Sequence, residues 1–223
     1  MIRAVLFDMD GTLLDTEKIY YRCWHRAARE CDHEEFIDED LRAISGMNVS
    51  GIEAYFRSRY GADFDSMPMR LLRRQYVKET LEREGVPPMK DAADTLRRLR
   101  GMGIACAVAT STPRMPAQDY LLRAGLFDLI DGLQAGDEVT HGKPHPEIFL
   151  KTAELLGVPI EECVVVEDSH NGVRAGHSSG ARTVMIPDMQ PCTEAILPLL
   201  WRRLDSLAQL PDAIRTENEN FRK

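Results

Sequence analysis

The sequence is short of basic charge, of long apolar runs and of paired cysteines, and each shortage closes off a class of function. Lys and Arg number 28 against 36 Asp and Glu, a formal net charge of −8 over 223 residues. Nucleic-acid binders neutralise phosphates with a basic stripe, so this balance argues against a nucleic-acid partner. No apolar run approaches the roughly 18 residues of a membrane span, which argues against a membrane partner. Met1-Ile2-Arg3 leads directly into a strand pattern without the architecture of a signal peptide. The five cysteines (Cys23, Cys31, Cys106, Cys163 and Cys192) are odd in number and show no CxxC spacing, so no thiolate metal site is expected. Cys106 and Cys163 lie in apolar runs, where a thiol behaves as a small buried hydrophobe. Reduced structural thiols fit a cytoplasmic location.

What is present is enough for a full core, with 43% hydrophobic residues. The chain is organised around Ile2 to Thr16, IRAVLFDMDGTLLDT. Ala4-Val5-Leu6-Phe7 has the length and composition of a strand buried on both faces. Asp8 and Asp10 follow where that strand should end, and Gly11 permits a sharp turn close to a ligand. After Asp15-Thr16, Tyr20, Cys23, Trp24, Ala27, Ala28 and Cys31 form one helical stripe, with Thr16 as a plausible N-cap. Further helices are expected at about 38–44, 49–60 and 66–83, stopped by Gly61 and Gly85, so the segment from about 16 to 84 reads as wholly helical.

Beyond the stiff connector Val86-Pro87-Pro88-Met89, strands and helices alternate. Strands are expected at Ile104–Ala109, from Leu129-Ile130, at Cys163–Val166 and at Thr183–Ile186; Thr193–Leu210 reads as helix and then a final element around Leu207, with a frayed tail from Thr216. This order implies an α/β fold: a Rossmann-like parallel sheet with helices on both faces. A crossover between parallel strands needs only about a dozen residues or somewhat more. Roughly a hundred separate Asp10 from Thr110. Residues 16–85 therefore read as an inserted helical domain, placed to act as a lid, on a core of residues 1–15 and 86–223.

In a parallel sheet the carboxyl ends of the strands share one edge, where ligands bind. That edge should gather Asp8 and Asp10, Thr110 and Ser111, Glu167 and Asp168, and the loop of Lys143. Carboxylates are hard oxygen ligands suited to Mg²⁺, which takes one or two of them together with a substrate phosphate. Thr110 and Ser111 offer a hydroxyl and backbone N–H groups before a helix, an anion site. Lys143, in the stretch HGKPHP stiffened by two prolines, is a fixed positive charge for a phosphate. The set suits phosphoryl transfer. Other residues have plainer readings. Thr12 and Ser169 suit local backbone bonds, and Gly172 and Gly176 suit close packing. Tyr20, Trp24 and Tyr76 form a core stripe, from which Tyr20 alone, nearest the motif, is expected to face substrate. The runs Arg73-Arg74 and Arg97-Arg98 read as solvated helix faces.

The chain resembles the haloacid dehalogenase superfamily, in the branch with a helical cap inserted after the first motif. The matching segments are Asp8-Met9-Asp10-Gly11-Thr12-Leu13, Thr110-Ser111 after an apolar strand, Lys143-Pro144-His145-Pro146-Glu147, and Glu167-Asp168-Ser169-His170-Asn171-Gly172. They occur in the family's order and spacing, from residue 2 to about 190. The resemblance implies that Asp8 is the nucleophile, forming an aspartyl-phosphate, and that Asp10 is the general acid and then base. It makes Asp168 the main Mg²⁺ carboxylate, with Glu167, Asp8 and the Asp10 carbonyl beside it. Thr110, Ser111 and Lys143 would hold the phosphoryl oxygens, and Asn171 would orient Lys143 or the loop of Asp168.

The second acid, Asp10, argues against dehalogenation, because dehalogenases of this superfamily lack it. Phosphatases and β-phosphoglucomutases share the core residues. The mutases carry a histidine where this chain has Tyr20, and an arginine near the position of Val49. These departures favour an Mg²⁺-dependent phosphatase acting on a small-molecule phosphate ester, with the mutase as the alternative. A non-catalytic phosphometabolite-binding protein is the third reading, and the presence of both acids counts against it. Tyr20, Gly46, Met47 and Asn48 are the expected substrate contacts from the insert, and a monomer is the default state.

Overall fold

The computed structural model describes every residue except 34, 37, 222 and 223. Six parallel strands form one sheet in the order β3-β2-β1-β4-β5-β6. They are β1 (Ala4–Phe7), β2 (Ala105–Ala109), β3 (Gly132–Gln134), β4 (Cys163–Glu167), β5 (Arg182–Met185) and β6 (Arg202–Arg203). The central strands β1 and β4 are buried along their whole length, as their continuous apolar runs require. Alternate residues feed two cores. Val5, Phe7, Val108 and Val166 pack with Leu96 and Leu99 of α5 (Ala92–Gly101) and with Ile214 of α9 (Leu210–Asn220). Leu6, Ala107 and Val165 pack with Ile148 and Phe149 of α7 (Glu147–Leu156) and with Ala175 of α8 (His170–Ser179). The remaining core helix, α6 (Arg114–Arg123), joins β2 to β3.

Strand β1 pairs with β2 on one side and β4 on the other, so the strand order reverses beside it. A crevice opens at such a switch point, beyond the carboxyl ends of the strands. Between β1 and α5 come α1 (Glu17–Glu30), α2 (Asp38–Ile44), α3 (Val49–Tyr60) and α4 (Met67–Glu84). α1 lies along α4, and Trp24, Phe36 and Phe56 form an aromatic knot with centroids 5.8–6.0 Å apart. Two backbone bonds fasten the exit of the chain from the sheet to its return: Asp15 N–H to the Pro87 carbonyl and Met89 N–H to that of Leu13.

Three expectations need correction. The strand expected at Leu129-Ile130 begins three residues later; Leu129 closes a short 3-10 turn, Phe127–Leu129. The helix expected from Thr193 is instead a 3-10 turn at Leu197–Leu199 and strand β6, while the final element expected around Leu207 is a second turn at Leu207–Gln209. Pro198 lacks the N–H that a continuing helix needs, while Pro211 sits in the first turn of α9, where that loss costs nothing. The tail expected to fray continues as helix to Asn220. Asn218 anchors it to the start of the chain, accepting from the Ile2 N–H at 2.6 Å and donating to the Ile2 carbonyl at 2.9 Å.

Candidate active site

Asp8 leaves β1 directly into the crevice, its backbone N–H still bonded to the Val166 carbonyl of β4. The Lys143 ammonium, completely buried at its side chain, reaches Asp8 Oδ1 at 2.5 Å, Glu167 Oε1 at 2.6 Å and the Ala109 carbonyl at 3.1 Å. Glu167 spends its other oxygen on Ser169 Oγ at 3.0 Å and on the N–H groups of Asp168 and Ser169 at 3.2 Å. Its carboxylate is thus a fixed strut. Gly172 is what admits it, since a Cβ there would fall 1.9 Å from Glu167 Cδ. The Ser169 hydroxyl also caps α8 by accepting the Gly172 N–H, the local role expected for it.

Oxygens of Asp8, Glu167 and Asp168 lie within 4.8 Å of one another. Among the described residues nothing donates to the Asp168 carboxylate, although Asp168 is 98% buried (2% exposed). Burial pushes the Asp8 carboxyl up to about 8, with Lys143 pulling it down and Glu167 and Asp10 pushing it up. Burial also carries Asp168 well above the usual carboxylate range, with Glu167 adding to it. For Lys143, burial favours the neutral amine, but Asp8 and Glu167 outweigh it and keep the ammonium charged. Three carboxylates thus face one ammonium, leaving an excess of negative charge that a divalent cation would offset. Oxygen-only donors fit such an ion. Gly11, at φ +84°, closes the other wall, where a Cβ would come within 2.4 Å of Asp168 Oδ2.

Asp10 is held by two hydroxyls, Thr16 Oγ1 donating to Oδ1 at 2.6 Å and Thr112 Oγ1 donating to Oδ2 at 2.8 Å. Thr16 thus makes no side-chain cap for α1; its hydroxyl turns back to the acid. Thr110 is buried and accepts the Thr112 N–H at 3.0 Å. A cavity of about 520 Å³ opens above these groups, lined by Asp8, Asp10, Thr110, Ser111 and Asp168 from the core and by Tyr20, Gly46 and Met47 from the insert.

The profile of the haloacid dehalogenase-like hydrolases matches residues 2–180. The chain belongs to this family. It is 33% identical over 187 residues to the phosphorylated carbohydrates phosphatase of Thermotoga maritima, covering 82% of this chain and 84% of that one. It is 31% identical over 185 residues to the fructose-1-phosphate phosphatase YqaB of Escherichia coli, covering 81% and 94%. The crystal structure of CbbY from Rhodobacter sphaeroides in complex with phosphate superposes with a TM-score of 0.75 at 28% identity, covering 94% of this chain and 96% of that one. The chain is a hydrolase of this family, among relatives named as phosphatases.

Several residues of this haloacid dehalogenase-like chain do jobs other than those expected. Asn171 does not turn to Lys143; its amide donates to the Ala43 and Ser45 carbonyls of the insert, both at 2.9 Å. Ser111 Oγ donates to the Gly46 carbonyl at 2.6 Å, and Gln190 Nε2 to the Arg42 carbonyl at 3.1 Å. Two core loops and the first turn of α8 therefore hold down residues 42–46, the end of α2 and the turn after it. Asn48 lies off the main cavity, where it caps α3 through the Gly51 N–H at 3.0 Å and abuts Gly142. Thr12 Oγ1 is buried with no partner among the described residues, so the local bond expected of it is not made. Sequence reasoning missed Thr112, Glu17, Tyr120 and Arg73, all of which line the cavity. Thr112 is the next residue after the named Thr110-Ser111 pair, and Glu17 directly follows the hinge; that adjacency was the available signal. Burial pushes the Glu17 carboxyl up to about 8, with Asp10 and Asp8 adding to it.

Proposed function

We propose that this hydrolase is an Mg²⁺-dependent phosphatase that cleaves a small phosphorylated metabolite, a sugar phosphate or similar phosphomonoester, through an aspartyl-phosphate on Asp8. The observation that carries the reading is the pair of acids at the cavity floor. Asp8 is anchored through Oδ1 by Lys143, while Asp10 is aimed by Thr16 and Thr112. The relatives named for phosphorylated carbohydrates and fructose 1-phosphate support the substrate class.

Asp8 and Asp168 would hold Mg²⁺, which supplies charge to offset the phosphoryl oxygens and keeps Asp8 ionised. Asp8 then attacks phosphorus in line, and the ester oxygen leaves on the opposite side, taking a proton from Asp10. The Lys143 ammonium and the Thr110–Ser111 loop offset charge on the transferring group. In the second step Asp10, now ionised, removes a proton from water. That water displaces Asp8 from phosphorus and releases inorganic phosphate. Glu167 fixes Lys143 and stays outside the bond changes. Residues 16–85 serve as the lid domain on a core of 1–15 and 86–223, and its hinge lies at the Asp15–Pro87 and Leu13–Met89 bonds. Closure keeps bulk water from the acyl-phosphate until product has left.

Phosphate release from p-nitrophenyl phosphate tests the reading. It should need Mg²⁺ and should disappear in Asp8→Asn. Turnover that survives either change contradicts it. The mutase alternative predicts instead that β-glucose 1-phosphate with a bisphosphate primer yields glucose 6-phosphate faster than free phosphate.

A further inference from the structure

The wall of the cavity opposite the acids is cationic. Arg42 of α2 and Arg70, Arg73 and Arg74 of α4 all line it. Arg73 is the unusual one. It is half-buried, yet among the described residues no acceptor bonds its guanidinium and no carboxylate lies within 4.0 Å of it. Its Nε is covered and has no partner, and the same is true of Arg70 Nε. A guanidinium taken partly out of water without acceptors loses hydration with no return inside the protein. What holds it in place is aromatic: its Cζ stands 4.3 Å from the centroid of Tyr20 and 5.3 Å from that of Trp24. Stacking fixes the plane of the fork and leaves the terminal N–H groups free to bond.

Tyr20 also measures the distance. Its ring lies under Arg73, and its hydroxyl, raised in pKa by burial, is near enough to Asp10 for that acid to push it further up. One tyrosine side chain therefore separates the proton-transferring acid from the stacked guanidinium. A skeleton of about two to four carbons bridges that gap, taking some 1.3 Å per bond in extended form. A fixed, planar fork of donors matches a carboxylate or phosphate bidentately. A neutral polyol would leave much of this charge unanswered.

We propose that Arg73 is the receptor for a second anionic group on the substrate, so that the enzyme acts on phosphomonoesters whose short carbon skeleton carries a carboxylate or a further phosphate. The inference rests on the phosphatase reading above and narrows its substrate class. Arg70 and Arg74 add positive potential on the same helix, but the stacked Arg73 makes the contact. The plain alternative is that Arg73 only offsets the charge of Glu17, which lies near it without forming an ion pair.

Matched substrates test it: 3-phosphoglycerate against glycerol 3-phosphate for the carboxylate, and fructose 1,6-bisphosphate against fructose 1-phosphate for the second phosphate. Steady-state release of inorganic phosphate is measured for the intact chain, Arg73→Met and Arg73→Lys, with folding of each variant checked by its melting midpoint. The intact chain should prefer the more anionic member of at least one pair by tenfold or more in kcat/KM. Arg73→Met should collapse that preference mainly through KM, and Arg73→Lys should restore part of it. The pair that shows the preference identifies which anion is read. Equal or better turnover of both members that lack the second anion contradicts the proposal, as does a loss in Arg73→Met that is the same for both members of each pair. So does turnover of neither pair by a chain that hydrolyses p-nitrophenyl phosphate. Failure on p-nitrophenyl phosphate as well would instead remove the phosphatase reading on which the inference stands.

Discussion

Gly172 stands against Glu167 so closely that a methyl group on its Cα would lie 1.9 Å from the Glu167 carboxylate carbon. This contact places the strut that fixes Lys143, and through Lys143 the carboxylate of Asp8. Gly172→Ala should therefore push Glu167 off its bonds to Ser169 and Lys143. We predict a fall in kcat of at least a hundredfold together with a lower melting midpoint. Gly101→Ala is the control: its Cβ meets nothing within 4 Å, and its φ is not positive, so it should leave activity unchanged and the midpoint unchanged or slightly raised. Steady-state kinetics and thermal unfolding of the two variants check this.

Lys143→Met removes the ammonium that the buried Asp8 and Glu167 share. Breaking a buried ion pair from one side typically costs about 3–5 kcal/mol, or a drop of the order of 10 °C in the midpoint for a chain of this size. Protonation of Asp8, whose carboxyl burial pushes up to about 8, will soften the loss at low pH, so the destabilisation should grow as pH rises. Thermal unfolding from acid to neutral pH reads this directly.

Without metal, the raised carboxyls set a sign for the pH dependence of stability. Asp8 and Glu17 titrate at about 8 in the fold, and Asp168 is raised as well. In the unfolded chain such groups ionise near pH 4. Between those values the folded state binds more protons, so stability falls as pH rises from about 4 to about 8. A cation at Asp8 and Asp168 favours their ionised forms, so Mg²⁺ should raise the midpoint by several degrees near pH 8 and by little near pH 5. A Mg²⁺ shift that is the same at both pH values would contradict the placement of the ion at these acids.

Much of this site can be read from local sequence, because the strand ends announce themselves. An apolar run buried on both faces, then an acid, needs no partner to be recognised at Asp8 or Asp168. The hundred-residue gap between Asp10 and Thr110 likewise sets the helical stretch α1–α4 apart from the strands. Other features depend on contacts that sequence distance hides. Thr112 reaches Asp10 across 102 positions, and Asn171 reaches Ala43 across 128. Arg73 looks like half of a solvated Arg-Arg pair; only the packing of α4 on α1 separates it, stacked on Tyr20, from the exposed Arg74. At the C-terminus Pro198 stops the expected helix, and turns and β6 come before α9, which Pro211 opens.

The bonds from Asn171 to Ala43 and Ser45 join the core to the insert at the carboxyl end of the sheet. Asn171→Ala removes both, a loss of about 1–2 kcal/mol for the closed arrangement. If closure is linked to substrate binding, KM should rise by roughly fivefold to tenfold with a smaller change in kcat. Residues 42–48 should also become easier to cleave in limited proteolysis. Unchanged KM and unchanged cleavage would show that these bonds do not hold the insert closed.

The central claim is that Asp8 carries the phosphoryl group between its two transfers. Asp10→Asn cannot activate water, so during turnover of an activated ester such as p-nitrophenyl phosphate with Mg²⁺ it should accumulate the intermediate. Acid quenching followed by peptide mass spectrometry should find one phosphoryl group, on Asp8. Phosphate release with the label on another residue, or no covalent label in Asp10→Asn although it still cleaves the ester, would contradict the account.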